Sequence, residues 1–270
     1  MNRLSLVTNM VNLRKYGHKP FRVAVIHGGP GAPGEMAPVA RELSSVMGVL
    51  EPLQTATTIE GQVQELKAVL QKNAELPVTL IGFSWGALLS FIFTAWHSSF
   101  VRKLILIGSA PYEEEYALNI TQTRLSRLSE QERAEAISLM QTLNGPSVAN
   151  KNTLMARLGK LLSNADSYDP LPHDDEMLEC QYDVFQGVWE QAEQLRSSGK
   201  LLELGRVIKC PVVAIHGDYD PHPAAGVNEP LSRILKDFRF ILLGKCGHRP
   251  WLERSARDRF YHILKQELAF

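Results

Sequence analysis

A serine enclosed by glycines is the residue best placed to carry covalent chemistry. Ser84 stands at the centre of Gly82-Phe83-Ser84-Trp85-Gly86, after the apolar run 78–83 and before the apolar run 87–97. The first run predicts a buried strand and the second a helix. A serine at a tight strand-to-helix turn is lifted out of the edge of a sheet, where an attacking oxygen must be exposed. The alternative interpretation is a tight turn with an incidental serine.

A serine hydroxyl is a poor nucleophile and needs a base that is itself held by an acid. His248 comes after the predicted strand 239–243 and directly before a predicted helix over 250–268. Two candidate acids, Asp218 and Asp220, follow the predicted strand 212–216. Because the carboxyl ends of parallel strands meet at one edge of a sheet, these side chains are expected to converge on the serine.

Hydrolytic chemistry at a carbonyl also needs two donors for the developing oxyanion. The amide of Trp85, directly after the serine, is one candidate. The other is expected in the loop His27-Gly28-Gly29-Pro30-Gly31, which follows the predicted strand 21–26. Gly29 is the choice there because Pro30 has no N–H to donate. The glycines could instead serve only a tight connection.

The elements that must position these residues alternate along the chain. Strands predicted at 21–26, 49–53, 78–83 and 101–107 are separated by helical stretches, and two more follow at 212–216 and 239–243. This rhythm predicts an α/β fold with a mostly parallel, doubly wound sheet. The stretch 111–209 has only helical patterns, with a capping-box start at Ser129-Glu130-Gln131-Glu132. We therefore expect a core formed by 1–110 and 210–270 and a helical lid inserted between them.

Composition narrows the class of partner. Of the 270 residues, 44% are hydrophobic and 21% charged, as in ordinary globular proteins. Lys+Arg and Asp+Glu number 29 each, so no basic field for nucleic acid or anionic lipid is expected, and the partner should be a small molecule. No cofactor or metal is expected, no apolar run reaches the ~18 residues of a membrane span, and the oligomeric state is left open. The three cysteines cannot all pair, which, together with an N-terminus lacking a signal-peptide core, predicts a cytoplasmic protein.

The motifs HGGPG, GFSWG, HGDYDP and CGHRPW together resemble the α/β-hydrolase fold family, and the first two are similar to its proline iminopeptidase-like branch. The resemblance covers 21–110 and 210–268. It implies a triad in the order Ser84, Asp220, His248, because in this family the acid closes a Gly-x-x-Asp turn such as the one at 217–220. It also implies that the helical insertion is a lid. Branch members usually have glycine where this chain has Phe83.

Three other interpretations compete with a hydrolase. Gly29 to Gly34 also fits the dinucleotide motif G-x-G-x-x-G, with Glu51 as the ribose-binding acid, although Pro30 and Pro33 remove amides from a phosphate cradle. The alternating His216, Asp218, Asp220 and His222 suggest metal ligands, although the intervening glycine and prolines favour a turn. A non-catalytic binding protein on the same fold is the third.

The expected activity is acyl transfer from a small ester or amide through a covalent intermediate on Ser84. A proline iminopeptidase-like aminopeptidase, a carbon–carbon hydrolase and a thioesterase are the alternatives that use the same triad. The acidic runs 113–115 and 174–176 could bind a substrate amino group, but solvated helix starts favoured by the helix dipole are the better explanation for them. Four residues of the insertion could line an apolar pocket or only pack: Met177, Phe185, Val188 and Trp189.

Overall fold

The computed structural model describes residues 12–145, 148–173 and 178–269. Seven strands form one sheet in the order β1-β3-β2-β4-β5-β6-β7. They are β1 Leu13–Tyr16, β2 Phe21–Ile26, β3 Gly48–Pro52, β4 Val78–Phe83, β5 Val101–Ile107, β6 Val212–Gly217 and β7 Phe238–Leu243. β1 pairs antiparallel with β3, and every other pair is parallel. The predicted α/β fold class is confirmed.

Ten α-helices are present in the described residues. They are α1 Ala37–Leu43, α2 Ile59–Asn73, α3 Trp85–Trp96, α4 Ile120–Ser126, α5 Glu130–Leu143, α6 Lys151–Ala165, α7 Tyr182–Ser197, α8 Lys200–Glu203, α9 Ala225–Ile234 and α10 Arg257–Leu268. None of them is long and apolar enough to cross a membrane. α5 begins at the predicted capping box, in which Ser129 and Glu132 bond each other's backbone amides.

The central strands are buried on both faces because their alternate side chains enter two different cores. In β5, Leu104 and Leu106 pack with residues of α2, α3 and α9. Ile105 and Ile107 point the other way and pack with residues of α1 and α10. This is the reason that these strands read as continuous apolar runs rather than as alternating ones. Such burial makes the sheet a rigid support for the loops at its carboxyl edge.

Between β5 and β6, the described residues form α4 to α8 and short 3₁₀ turns but no strand. α4 to α6 and the start of α7 enclose a small apolar cluster of their own, which includes Leu128, Ala136, Leu158 and Tyr182. The remainder of α7 packs on the main core through Val184 and Val188.

Three short elements were not predicted, and the last helix is divided. β1 is four residues long at the edge of the sheet, α1 has seven residues, and α9 contains Pro230. Such elements have too few periodic apolar positions to stand out. The predicted helix over 250–268 was wrong in its first part. The 3₁₀ turn Pro250–Leu252 ends at Glu253, which is extended (φ −82°, ψ 119°), and α10 begins four residues later.

Two glycines allow α3 to start directly against the sheet. A Cβ at Gly86 would lie 2.2 Å from the carbonyl oxygen of Ile26, and a Cβ at Gly82 would lie 2.2 Å from that of Gly86. Because these neighbours are backbone atoms, they cannot rotate away. The glycines on either side of the serine are therefore required by close approach of backbone to backbone.

We expect Gly86→Ala to destabilise the protein by about 3 kcal/mol or more, because the new methyl group must displace β2 or α3. Gly159→Ala is the matched control. Gly159 lies in α6, and an added Cβ there would have no atom within 4 Å. That variant should gain about 0.5–1 kcal/mol from the better helix propensity of alanine. Urea denaturation measures both, and equal stability of the two variants would contradict the steric argument.

Candidate active site

Ser84 occupies a strained turn between β4 and α3. Its backbone has φ 51° and ψ −116°, a positive φ that is rare for a residue other than glycine. Its amide donates to the carbonyl oxygen of Ile107 at the end of β5 (2.9 Å), and its side chain is partly exposed. This is the geometry expected of an elbow that presents a hydroxyl above the carboxyl edge of a sheet.

The residues beside the serine are anchored in the core. The indole Nε1 of Trp85 donates to Gln62 Oε1 of α2 (2.8 Å), and both side chains are buried. The ring of Phe83 lies 4.8 Å from the ring of His248 and 4.7 Å from that of Trp251, centroid to centroid. Phe83, the departure from the family motif, therefore fills the space beneath the histidine.

Asp220 and His248 form a buried pair in the loops after β6 and β7. His248 Nδ1 lies 2.7 Å from Asp220 Oδ2. Of the two candidate acids, this is the one that the structure brings to the histidine. Asp218 is exposed and accepts a hydrogen bond from the amide of Cys246 (3.1 Å), as expected for an acceptor of loop amides.

The His248 ring lies above the end of β5, next to the serine turn. A Cβ at Gly108 would be 3.1 Å from His248 Nδ1, and Gly108 is one residue beyond the carbonyl that holds the Ser84 amide. Among the described residues, the structure gives no hydrogen bond between the Ser84 hydroxyl and His248. Such contacts commonly tighten only when substrate binds.

The ionised forms of Asp220 and His248 stabilise each other. Burial opposes ionisation of Asp220, but the neighbouring histidines, His248 first, hold its pKa well below the usual carboxyl value. Burial likewise lowers the pKa of His248, but the charge of Asp220 and the hydrogen bond to it are stronger, and the pKa is raised. The carboxylate is thus ionised at neutral pH, and it favours the protonated imidazole.

The helical insertion holds the backbone of the histidine loop. The His248 amide donates to the carbonyl oxygen of Asp166 at the end of α6 (2.8 Å), and the Asp166 carboxylate accepts two hydrogen bonds from Arg124 of α4 (2.7 Å each). Arg127 donates to the carbonyl oxygen of Tyr219, next to Asp220 (2.8 Å). The main chain of both loops is therefore bound to the insertion.

A buried carboxylate joins the histidine loop to the segment that follows α6. Glu253 accepts hydrogen bonds from the amides of Gly247, Tyr168 and Asp169, at 3.0, 2.9 and 2.8 Å. The sequence reasoning missed Glu253, Asp166 and Arg124, because nothing in their local sequence marks them. The packing of the insertion on the core brings Asp166 and Arg124 to the histidine loop, whereas Glu253 follows that loop in the chain, directly after the 3₁₀ turn Pro250–Leu252.

The two predicted oxyanion donors lie on adjacent loops. Trp85 is the first residue of α3, where a backbone N–H has no partner within the helix. Gly29 lies beyond β2 with φ 107°, and a Cβ there would come within 2.7 Å of the amide nitrogens of Gly31 and Ala32. The glycine loop is held by the insertion, since the amide of Gln181 donates to the carbonyl oxygen of Gly31 (3.0 Å).

The residues of the competing interpretations have other partners. Glu51 is buried in β3, where it accepts a hydrogen bond from Tyr16 (2.8 Å) and lies 3.6 Å from Arg14. Asp220, His222 and His248 have possible metal-ligand atoms within 4.8 Å of one another. Those atoms are hydrogen-bonded to one another. His248 Nδ1 contacts Asp220 Oδ2, and His222 Nδ1 lies 2.8 Å from Asp220 Oδ1.

In the insertion, Glu113 binds Arg233 and Glu114 binds Arg196, whereas 174–176 and Met177 lie outside the described residues. Val188 is buried in the core, and the rings of Phe185 and Trp189 stack at 6.0 Å.

The chain belongs to the alpha/beta hydrolase fold family, whose profile matches residues 50–255. Among solved structures, VinJ is 16% identical with a TM-score of 0.66, over 95% of this chain and 93% of that one. A putative lipase from Acinetobacter baumannii AYE is 16% identical (TM-score 0.63; 94% and 87% covered). A proline iminopeptidase from Mycobacterium smegmatis is 17% identical (TM-score 0.62; 95% and 93% covered). At such identities the likeness shows a shared fold. No curated protein sequence matches the chain.

Proposed function

We propose that this protein is a serine hydrolase that cleaves a small ester or amide through an acyl-enzyme, with Ser84, His248 and Asp220 as its triad. The observation that carries the proposal is the buried pair of His248 and Asp220 (2.7 Å) beside a serine held at positive φ. Family membership supports the same chemistry, because a serine at a strand-to-helix turn, followed along the chain by an acid and a histidine, is the arrangement typical of this fold.

In the proposed reaction, Ser84 Oγ attacks the substrate carbonyl while His248 Nε2 removes its proton. His248 then gives that proton to the leaving group, and water repeats the two steps to release the acid. Asp220 fixes the imidazole with Nδ1–H toward the carboxylate and stabilises the imidazolium that forms. The amides of Trp85 and Gly29 are proposed to bind the oxyanion.

The electrostatics of the pair set a pH dependence for this reaction. His248 must be neutral to act as a base, and its pKa is raised above the ordinary histidine value by Asp220 despite burial. The acid limb of kcat/KM should therefore have its midpoint above the ~6.5 of an unperturbed histidine.

We further propose that the helical stretch 111–209 forms a lid that shapes the substrate site. Its segment after residue 177 lies along the glycine loop, where the amide of Leu178 donates to the carbonyl oxygen of Pro33 (2.8 Å). Displacing this segment would expose the loop that contains Gly29. Substrate specificity is then expected to reside in the insertion, as in other proteins whose mobile loops cover a site.

An aminopeptidase is the second candidate, and one observation favours it. Glu35 carries a carboxylate beside the glycine loop, since a Cβ at Gly28 would lie 2.6 Å from Glu35 Oε2. Such an acid could bind the ammonium group of a substrate. Arg249 lies 4.0 Å from the same carboxylate and competes for it. The expected lid acids Glu113 and Glu114 are already paired with arginines. We therefore favour the esterase.

The test combines active-site labelling with a substrate panel. The full chain is treated with a fluorophosphonate probe, and the modified residue is located by peptide mass spectrometry. We expect a single adduct on Ser84 in the folded protein and no adduct after heat denaturation. The panel contains p-nitrophenyl esters of increasing acyl length, a thioester, and arylamides of proline and other amino acids.

Short esters cleaved by the wild type and not by Ser84→Ala support the esterase. Cleavage of arylamides with a free amino group, reduced by Glu35→Gln, would favour the aminopeptidase instead. Full turnover by Ser84→Ala would rule out Ser84 as the nucleophile and with it the proposed triad. Absence of a Ser84 adduct together with no turnover of any substrate would leave a binding protein as the better interpretation.

A further inference from the structure

A second imidazole is bonded to the acid of the proposed triad. His222 uses both its backbone amide (2.9 Å) and its ring Nδ1 (2.8 Å) to contact Asp220 Oδ1. The other carboxylate oxygen, Oδ2, faces His248 Nδ1. The two imidazoles thus divide the carboxylate between them, one on each oxygen.

His222 is itself held in place from the sheet. Its carbonyl oxygen lies 2.8 Å from Nε2 of His216, the buried histidine near the end of β6. A carbonyl can only accept, so His216 Nε2 carries a proton. Pro221 and Pro223 flank His222 and restrict its backbone. A chain of hydrogen bonds therefore runs from His216 through His222 and Asp220 to His248.

The His222 ring also contacts the His248 ring. Their centroids are 4.6 Å apart with a tilt of 32°. Both side chains are buried, at 5% and 8% exposure, so that neither ring has room to turn without displacing the other. The ring of Phe83 lies 4.8 Å from the same imidazole, so that both neighbouring rings limit the position of the proposed base.

His222 is neutral over the range in which a hydrolase would work. Burial lowers its pKa to about 4, although the charge of Asp220 opposes the shift. A neutral imidazole carries one ring proton, and the Nδ1 that faces a carboxylate must be the nitrogen that carries it. The ring therefore supplies a donor to Asp220 without adding a charge that would compete with the His248 imidazolium.

We propose that His222 is a positioning residue of the triad, which orients the Asp220 carboxylate toward His248 by donating to its Oδ1 and which packs against the His248 ring. Its consequence for catalysis rests on the proposed function. The dipole of the His222 Nδ1–H points its positive end at Asp220. Removing that donor makes the potential at His248 more negative, and the proton on His248 is then held more tightly.

The groups that face the two rings come from three parts of the fold. Asp220 lies in the loop after β6, His216 lies in β6 itself, and Asp166 and Arg124 belong to the insertion. These four stay in place in the variants below, so a change in the titration of His248 reports on His222.

The experiment is an NMR titration of the imidazole carbons and nitrogens of the full, isotope-labelled chain. His222→Phe keeps a ring of similar shape and removes the donor. His222→Asn places an amide N–H where Nδ1 was. We expect the titration midpoint of His248 to rise in His222→Phe and to stay near the wild-type value in His222→Asn. His97→Phe, at the far end of α3, is the matched control and should leave His248 unchanged.

An unchanged midpoint in His222→Phe would overturn the proposal, and so would an equal rise in both His222 variants. Should a variant fail to fold, the wild type decides by itself. His222 must show one protonated nitrogen, Nδ1, throughout pH 5–8, and the Nε2–H form or a doubly protonated ring would refute the assignment.

Kinetics on a substrate found by the panel add a second measurement. His222→Phe is expected to lower kcat by about 10- to 100-fold with KM nearly unchanged, because the base is misplaced rather than the substrate. The acid limb of kcat/KM should move to higher pH, and His222→Asn should restore most of the rate. The NMR result needs no substrate, so failure of the proposed hydrolase and failure of this inference are distinguishable.

Discussion

Replacement of Ser84 by glycine is expected to abolish hydrolysis while making the protein more stable. The loss of the nucleophile should reduce kcat/KM by at least about 10³-fold, leaving only what binding and the oxyanion donors provide. The gain in stability follows from the backbone, because φ 51° with ψ −116° is unfavourable for a residue with a Cβ and open to glycine. Relief of such strain is worth about 1–3 kcal/mol, less the extra chain entropy of glycine.

Ser84→Ala separates the two effects. Alanine removes the hydroxyl and retains the Cβ, so it should be as inactive as glycine without the gain in stability. Thermal or urea unfolding of the two variants beside the wild type measures the difference, at about 2–4 °C per kcal/mol for a chain of this size. A glycine variant no more stable than the alanine variant would mean that the turn is not strained.

The second large effect is expected from Asp220→Asn. The amide keeps the shape of the carboxylate but loses its charge, and its NH₂ group can face His248 Nδ1, which then has to accept. A wrong tautomer of this kind costs on the order of 10⁴-fold in kcat. Asp218→Asn is the matched control, since Asp218 lies two residues away, is exposed and bonds only a loop amide in the described structure. Its activity should remain close to that of the wild type.

Asp220→Asn should also change the pH dependence. Without the charge of Asp220, burial dominates and the pKa of His248 falls, so any residual activity should have its acid limb at lower pH than the wild type. This shift is opposite to the one expected for His222→Phe. The two variants together test whether the negative charge of Asp220 and the N–H dipole of the neutral His222 ring shift the pKa of the same imidazole in opposite directions.

Stability gives an independent readout of the same pair. The pKa of Asp220 is held below its ordinary value, so its ionisation stabilises the fold above the carboxyl range, and this is lost as pH falls. The pKa of His248 is raised, so its contribution is present below the ordinary histidine value and is lost as pH rises through the raised pKa. The destabilisation caused by Asp220→Asn, about 2 kcal/mol, should therefore be greatest between about pH 4 and 6.5. A difference that does not vary with pH would contradict this coupling.

The sequence predicts those parts of the fold and the site that depend on residues close together in the chain. The strand, elbow and helix around Ser84 are encoded within twenty residues, through apolar runs and two glycines whose missing side chains permit the close approach. The capping box at Ser129 is encoded in four. In contrast, β1, α1 and α9 were missed, since a short edge strand and short or proline-containing helices carry little periodicity.

Residues that act through packing could not be found in this way. Asp166 and Arg124 reach the histidine loop from an insertion whose helices have ordinary sequences, and Glu253 reaches it from the residue after the 3₁₀ turn Pro250–Leu252. His222 was visible only as a member of an alternating run of histidines and aspartates. In the sequence, Phe83 is only a departure from a motif. The tertiary structure shows that its ring fills the space between Gly28, His248 and Trp251.

The amino-acid sequence by itself determined the order of strands and helices, the turn that lifts Ser84 from the sheet edge, and the residue types available at that edge. The family resemblance favoured Asp220 over Asp218 as the partner of His248, whereas tertiary structure alone decided which groups hold the two loops and what a second histidine contributes. The reason is physical: backbone sterics and apolar periodicity act between neighbours in the chain, whereas the 2.7 Å contact between Asp220 and His248 depends on every element that packs beneath it.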